Sequence, residues 1–137
     1  MYIRIGICES DIAQRNSLKK YLNKIVGETG FKYELLEFDS GEELLKNYRR
    51  MNIIFLDINV GKINGIEAAK EIRKFDSTVE IIFVTKFNNY IYEGYEVRAY
   101  RYLLKPIRYE TIKIVTLNCI KNINRQKNWL LNIKAKS

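Results

Sequence analysis

The chain has 137 residues, 47% hydrophobic and 29% charged, enough for one globular domain with a real core. Histidine is absent, which excludes imidazole as base, metal ligand or phosphate carrier, and the two cysteines, Cys8 and Cys119, stand in no metal or redox spacing. The formal charge is +8, and it is uneven: residues 1–100 hold 15 Lys/Arg against 15 Asp/Glu, whereas residues 101–137 hold 9 Lys/Arg and only Glu110.

In chain order, Ile3-Arg4-Ile5-Gly6-Ile7-Cys8 reads as a first strand that runs into Glu9-Ser10-Asp11. Ile12, Leu18, Tyr21, Leu22 and Ile25 then recur at helical spacing, and Gly27 and Gly30 close that region. Tyr33 to Phe38 is a second strand. Ser40-Gly41-Glu42-Glu43 has the form of a capping box opening a short helix through Leu44 and Leu45. Ile53-Ile54-Phe55-Leu56 is wholly apolar and rich in β-branched residues, the pattern of a strand buried on both faces, and it ends in Asp57. A loop from Ile58 to Ile63 leads to a helix that starts at Asn64-Gly65 and carries Ile66, Ala69, Ile72 and Phe75. Glu80 to Val84 is a fourth strand ending in Thr85-Lys86, and a helix-like segment follows from Asn88 to about Glu96. Ala99 to Leu104 is the fifth strand and ends in Lys105-Pro106. From Tyr109, the residues Ile112, Ile114, Val115, Leu117, Ile120 and Ile123 line the apolar stripe of a last helix. Gln126-Lys127-Asn128 reads as a break, and Trp129 to Lys134 as a strand without a partner.

Five alternations of strand and helix predict a doubly wound, five-stranded parallel sheet of the flavodoxin-like (βα)5 kind. No apolar run approaches the ~20 residues of a membrane span, and the N-terminus lacks a signal-peptide pattern, so no membrane partner is expected and the cytoplasm is the default compartment. Cys8, at the end of a core strand, reads as a small buried hydrophobe. The basic end fits either a solvated helix and linker or a flank beside a nucleic-acid-binding module.

A charged residue ending a buried parallel strand sits at the sheet's rim, where α/β proteins place their chemistry. Glu9-Ser10-Asp11, Leu56-Asp57-Ile58, Asn64-Gly65-Ile66-Glu67, Val84-Thr85 and Leu104-Lys105-Pro106, in this order and each beside a strand end, resemble the receiver domain of bacterial two-component response regulators, the CheY-like fold. Cys8 before the acidic cluster, Leu56-Asp57-Ile58 and Tyr102-Leu103-Leu104-Lys105-Pro106 resemble the receivers of the LytTR class, whose output is a β-rich DNA-binding domain. The resemblance divides the chain into a receiver over residues 1–125 and a basic linker over 126–137 that resembles the opening of a truncated LytTR domain.

The resemblance implies a signalling domain rather than an enzyme. Asp57 accepts a phosphoryl group from a partner histidine kinase. Lys105 pairs with a phosphoryl oxygen and Thr85 donates its hydroxyl to another. Mg²⁺ is held by the acidic pair after the first strand, by Asp57 and by the backbone carbonyl of Asn59. In the switch Thr85 moves toward the phosphoryl group and Tyr102 turns inward behind it. DNA would be reached only through a missing or adjacent output domain. Tyr90, Tyr92, Tyr95, Tyr100, Tyr102 and Tyr109 mark a candidate homodimer face, with part of them packing the core instead.

Three positions depart from the family's pattern. Glu9 fills the first acidic position, but the second is Ser10, and Asp11 falls one place later. A hydroxyl in place of a carboxylate weakens Mg²⁺ binding at that position. Lys86 stands where a small residue is usual, as a cover over the site or a solvated lysine. Val60-Gly61-Lys62 replaces a loop proline. Outside the resemblance, Asp57 also fits a helix cap or ion pair, Thr85 a cap, and Lys105 a surface lysine. Two other functions compete: a phosphorylation-independent interaction module with a degraded metal site at Ser10, and a flavodoxin-like cofactor binder. The second lacks a glycine-rich phosphate loop, and Glu9-Ser10-Asp11 would repel an anion there.

Overall fold

The computed structural model describes residues 1–136, with side chains through Asn128. The elements are β1 (Tyr2–Cys8), α1 (Ile12–Gly27), β2 (Lys32–Phe38), α2 (Gly41–Lys46), β3 (Ile53–Leu56), α3 (Gly65–Arg73), β4 (Glu80–Thr85), α4 (Ile91–Glu96), β5 (Arg101–Leu104) and α5 (Tyr109–Lys136). The strands form one sheet in the order β2-β1-β3-β4-β5 with every pairing parallel, as the sequence predicts. Chain direction across the sheet reverses between β1 and β3. The carboxyl ends of those two strands therefore border the crevice where the connections diverge, the place at which open α/β sheets bind ligands.

Alternate side chains along each central strand feed two cores. Ile3, Ile5, Ile7, Ile53, Phe55, Ile82 and Val84 pack with Leu18, Leu22 and Ile25 of α1 and Ile112, Cys119 and Ile123 of α5. Cys8, Ile54, Leu56, Ile81 and Phe83 pack on the other face with Leu44 of α2 and with Ile66, Ala69 and Ile72 of α3. Burial on both faces is why β3 and β4 read as unbroken apolar runs rather than alternating ones.

Helix ends follow capping chemistry. Asp11 caps α1 by accepting the Gln14 amide at 3.0 Å. At α2, Ser40 Oγ accepts the Glu43 amide at 3.1 Å, but the Glu43 carboxylate reaches the Asp39 amide instead of that of Ser40, so only half of the expected box forms. The complete capping box lies at α3, between Asn64 and Glu67. Past α4, Arg98 takes a left-handed φ of 57°, costly for a residue with a side chain, and the Arg73 guanidinium bonds the carbonyls of Val97 and Arg98 at the same turn.

Four further expectations change. Helix α3 ends at Arg73, so Phe75 leaves the apolar stripe and stands 61% exposed, edge-on to Tyr48. Helix α4 begins at Ile91, not Asn88. On α5, Thr116 and Cys119 are buried and Ile114 is 60% exposed, because the inward face follows the 3.6-residue period rather than hydrophobicity alone. The expected break at Gln126-Lys127-Asn128 and the strand from Trp129 to Lys134 are replaced by continuous helix. No glycine or proline follows Pro106 to stop it, and Leu130 and Ile133 prolong the helical spacing from Ile123. Side chains past Asn128 lie outside the described residues. No described helix is long and apolar enough to cross a membrane.

Candidate functional site

Backbone pairing fixes the rim. The Asp57 amide bonds the Cys8 carbonyl at 3.0 Å, so Asp57 continues β3 beside the end of β1. The Lys105 amide bonds the Thr85 carbonyl at 2.8 Å, which ties the end of β5 to the end of β4. The Lys105–Pro106 peptide bond is cis. Behind Asp57, the start of α3 packs against the loop. The Gly65 amide bonds the Ile58 carbonyl at 2.7 Å, and a Cβ at Gly65 would run into the carbonyl oxygen of Asp57 and approach Ile58 Cα to 2.9 Å. Only glycine allows this approach.

Sequence-distant charges meet here. Lys105 Nζ donates to Asp57 Oδ2 at 2.7 Å and also to Glu9 Oε1. The side chains of Lys105, Glu9 and Asp57 retain only 15%, 8% and 9% of their exposure. Glu9 Oε2 accepts the Asp11 amide at 3.1 Å, and Arg15 donates to the Glu9 carbonyl at 2.7 Å. Burial pushes the Glu9 carboxyl above the ordinary glutamate range; its bonds to Lys105 and the Asp11 amide oppose the rise, and the Asp57 charge adds to it. Burial by itself pulls the Lys105 ammonium down, but hydrogen bonds to Asp57 and Glu9 outweigh it and leave the group above the ordinary lysine range.

The acidic loop resolves into distinct tasks. Asp11 is spent on capping α1, so it does not replace the acid missing at Ser10. Ser10 Oγ instead donates to the Asn59 carbonyl at 3.3 Å, and the Asn59 amide donates to Asp57 Oδ1 at 3.3 Å. The donors available to a cation are the carboxylates of Glu9 and Asp57 and the Asn59 carbonyl. All are oxygens, and two carboxylates against one ammonium leave net negative charge. This donor set fits a hard divalent cation such as Mg²⁺. Among the described residues no three His, Cys, Asp or Glu side chains form a metal-holding group.

Thr85 is fully buried, and its Oγ1 accepts the Phe87 amide at 3.4 Å. Tyr102 is half-buried against Phe83, with ring centroids 5.8 Å apart, and its hydroxyl donates to the Phe87 carbonyl at 2.5 Å. Thr85 and Tyr102 thus hold the same residue of the β4–α4 connection from two sides. Lys86 is exposed and lies over the Phe87 ring at 5.8 Å. Sequence reasoning did not find Phe87 or Arg15 as parts of the site, and it placed Gly65 in a motif without a role. Phe87 is held by its own backbone amide and carbonyl and Arg15 bonds a backbone carbonyl, contacts that no side-chain pattern reports.

The family profile of the response regulator receiver domain matches residues 5–116. A sensory transduction protein LytT of Oceanobacillus iheyensis is 40% identical over 93 residues, 65% of this chain and 38% of that protein. A LytT of Bacillus anthracis is 30% identical across 96% of this chain and 51% of its own length. The chain therefore spans about half, or less, of the curated relatives it matches. The response regulatory domain of protein MrkE from Klebsiella pneumoniae superposes with a TM-score of 0.79 at 25% identity, covering 90% of this chain and 99% of that one.

Proposed function

Because the chain belongs to the family of response regulator receiver domains, we propose that it accepts a phosphoryl group on Asp57 from the phosphohistidine of a sensor kinase and relays the change to a transcriptional output. The observation that carries this reading is Lys105 Nζ bridging Asp57 Oδ2, at 2.7 Å, and Glu9. An Asp57 oxygen attacks phosphorus, the P–N bond breaks, and its electron pair leaves with the donor imidazole. The chain has no histidine, so the donor belongs to another molecule.

Lys105 then exchanges its contact with Asp57 for one with a phosphoryl oxygen, as a point charge. Thr85 turns its hydroxyl from the Phe87 amide toward another. Mg²⁺ held by Glu9, Asp57 and the Asn59 carbonyl would neutralise part of the gathered negative charge. Movement at Thr85 reaches α4 through Phe87, which Tyr102 also grips. That side of the molecule exposes Ile91, Tyr92, Tyr95 and Leu104, with Tyr92 at 72% and Tyr95 at 82%, a surface suited to pairing with a second copy. The LytT names of relatives and the transcriptional regulatory protein YpdB of Escherichia coli, 37% identical over 71 residues, support a regulatory output.

The phosphorylation-independent reading rests on Ser10 alone, and the intact Asp57–Lys105–Glu9 grouping weighs against it. Beryllofluoride with Mg²⁺, an acyl-phosphate mimic, tests the proposal. Amide NMR shifts at Asp57, Thr85, Phe87 and Tyr102 are expected on its addition, and an unchanged spectrum would contradict the reading.

A further inference from the structure

The loop that follows Asp57 has little of its own to stiffen it. The chain's single proline is Pro106, and Gly61 takes a φ of 113°, a left-handed setting open to glycine and strained for other residues. The loop is held instead from outside, by the start of α2. The Gly41 amide, which has no acceptor within its own helix, bonds the Val60 carbonyl at 2.6 Å. One residue further along α2, Glu42 Oε1 accepts the Ile63 amide at 2.7 Å. The two bonds grip the loop on either side of Gly61. A Cβ at Gly61 would come within 2.5 Å of Glu42 Oε2 and 3.2 Å of Ser40 Cβ, so the two segments interlock closely. The Ile63 amide also holds the Glu42 carboxyl below the ordinary glutamate range.

Asn59 stands directly before Val60. Its amide donates to Asp57 Oδ1 and its carbonyl accepts from Ser10, both at 3.3 Å, long contacts that fix it weakly. The short contacts of this loop with α2 lie at Val60 and Ile63. From this arrangement we infer that Glu42 is a positioning residue, which latches the loop to α2 and thereby sets the Asn59 carbonyl at the rim. The latch itself is independent of phosphoryl chemistry. Its consequence rests on the reading of Glu9, Asp57 and the Asn59 carbonyl as the oxygens that hold a divalent cation. A loose ligand must be ordered when the cation binds, whereas a latched one is ordered beforehand.

The test compares Glu42→Ala, which removes the acceptor, with Glu42→Gln, which removes the charge and keeps an acceptor oxygen. Amide hydrogen exchange on the whole protein reads the latch, with Phe55 of β3 as the reference for global opening. In Glu42→Ala, exchange at Ile63 should rise about tenfold, the scale of one hydrogen bond to a charged group, with a smaller rise at Asn59 and none at Phe55. Unchanged exchange at Ile63, or an equal rise at Phe55, would overturn the latch. In a second arm, calorimetric titration with Mg²⁺ reads the consequence. Glu42→Ala should weaken binding about threefold, less than the loss of a group bonded directly to a ligand side chain. Glu42→Gln should retain most of the native affinity. An equal loss in both variants would show an effect of charge alone and overturn the positioning role. Absence of Mg²⁺ binding by the native protein would count against the cation reading and its consequence here, while the exchange result still decides the latch.

Discussion

Lys105 Nζ lies 2.7 Å from Asp57 Oδ2, although the two residues are 48 positions apart in the chain. The β3–β4–β5 pairing brings them together, since each residue directly follows a strand of that series. The same ammonium holds Glu9, so a single cation keeps two buried carboxylates side by side. Removing it leaves like charges facing each other in a poorly hydrated place. Lys105→Met is expected to lower the unfolding free energy by about 1–3 kcal/mol at neutral pH, less than for a deep ion pair because the group sits at the sheet's rim. Urea unfolding measures this, and equal midpoints would show that the bridge contributes nothing to stability.

Glu9 gives a pH dependence with a definite sign. Its folded-state value lies above the ordinary 4.5, so the folded protein binds its proton more tightly than the unfolded chain does. Stability from this group is therefore greatest below 4.5 and declines as pH rises from there through the raised value, after which it is flat. Glu9→Gln should remove that decline and raise the thermal midpoint of the metal-free protein at pH 7. Thermal unfolding of both proteins across pH 4–8 checks it, and a lower midpoint for the variant at pH 7 would contradict the sign.

Ser10→Asp restores a carboxylate next to Glu9 and removes the hydroxyl that donates to the Asn59 carbonyl. An added ligand charge should tighten Mg²⁺ binding by about tenfold, roughly 1.4 kcal/mol. Mg²⁺ titration by calorimetry gives the comparison. Unchanged affinity would remove Ser10 from the metal account.

Gly65→Ala drives a methyl group into the Asp57 carbonyl and the Ile58 backbone. Backbone atoms cannot step aside as side chains can, so a cost of about 1–3 kcal/mol is expected, together with displacement of Asp57. Calorimetric unfolding reports the first effect and the rate of Asp57 labelling the second. A variant as stable and as reactive as the native chain would refute the close packing at this position.

Tyr102→Phe keeps the ring on Phe83 and deletes the hydroxyl that bonds the Phe87 carbonyl. The loss should cost about 1 kcal/mol and leave phosphoryl acceptance nearly intact. The relay to α4 should weaken, so beryllofluoride should shift amides of Ile91–Glu96 less than in the native protein. Equal shifts would take Tyr102 out of the relay.

The fold and the convergence of Glu9, Asp57 and Lys105 were legible because both depend on strand ends. Apolar runs at β3 and β4 announce burial on two faces, and the polar residue at each strand's end, Glu9 after β1, Asp57 after β3, Thr85 closing β4 and Lys105 after β5, marks the rim. These four could thus be assigned to one edge from sequence alone. The short elements were less legible. Helix α4 holds six residues, with Gly94 its buried residue, too few for periodicity to fix where it begins. The continuation of α5 was missed because Trp129-Leu130-Leu131 resembles a strand locally, while the absence of any later glycine or proline was the better guide. Ser10 on the Asn59 carbonyl and Tyr102 on that of Phe87 are contacts to backbone oxygens, which every residue carries, so composition could not single them out.

The most direct measurement of the central claim is the intact mass of the protein after incubation with acetyl phosphate and Mg²⁺, with Asp57→Asn alongside. One added phosphoryl group is expected on the native chain and none on the variant. No added mass at high Mg²⁺, or the same addition to both proteins, would contradict Asp57 as the acceptor.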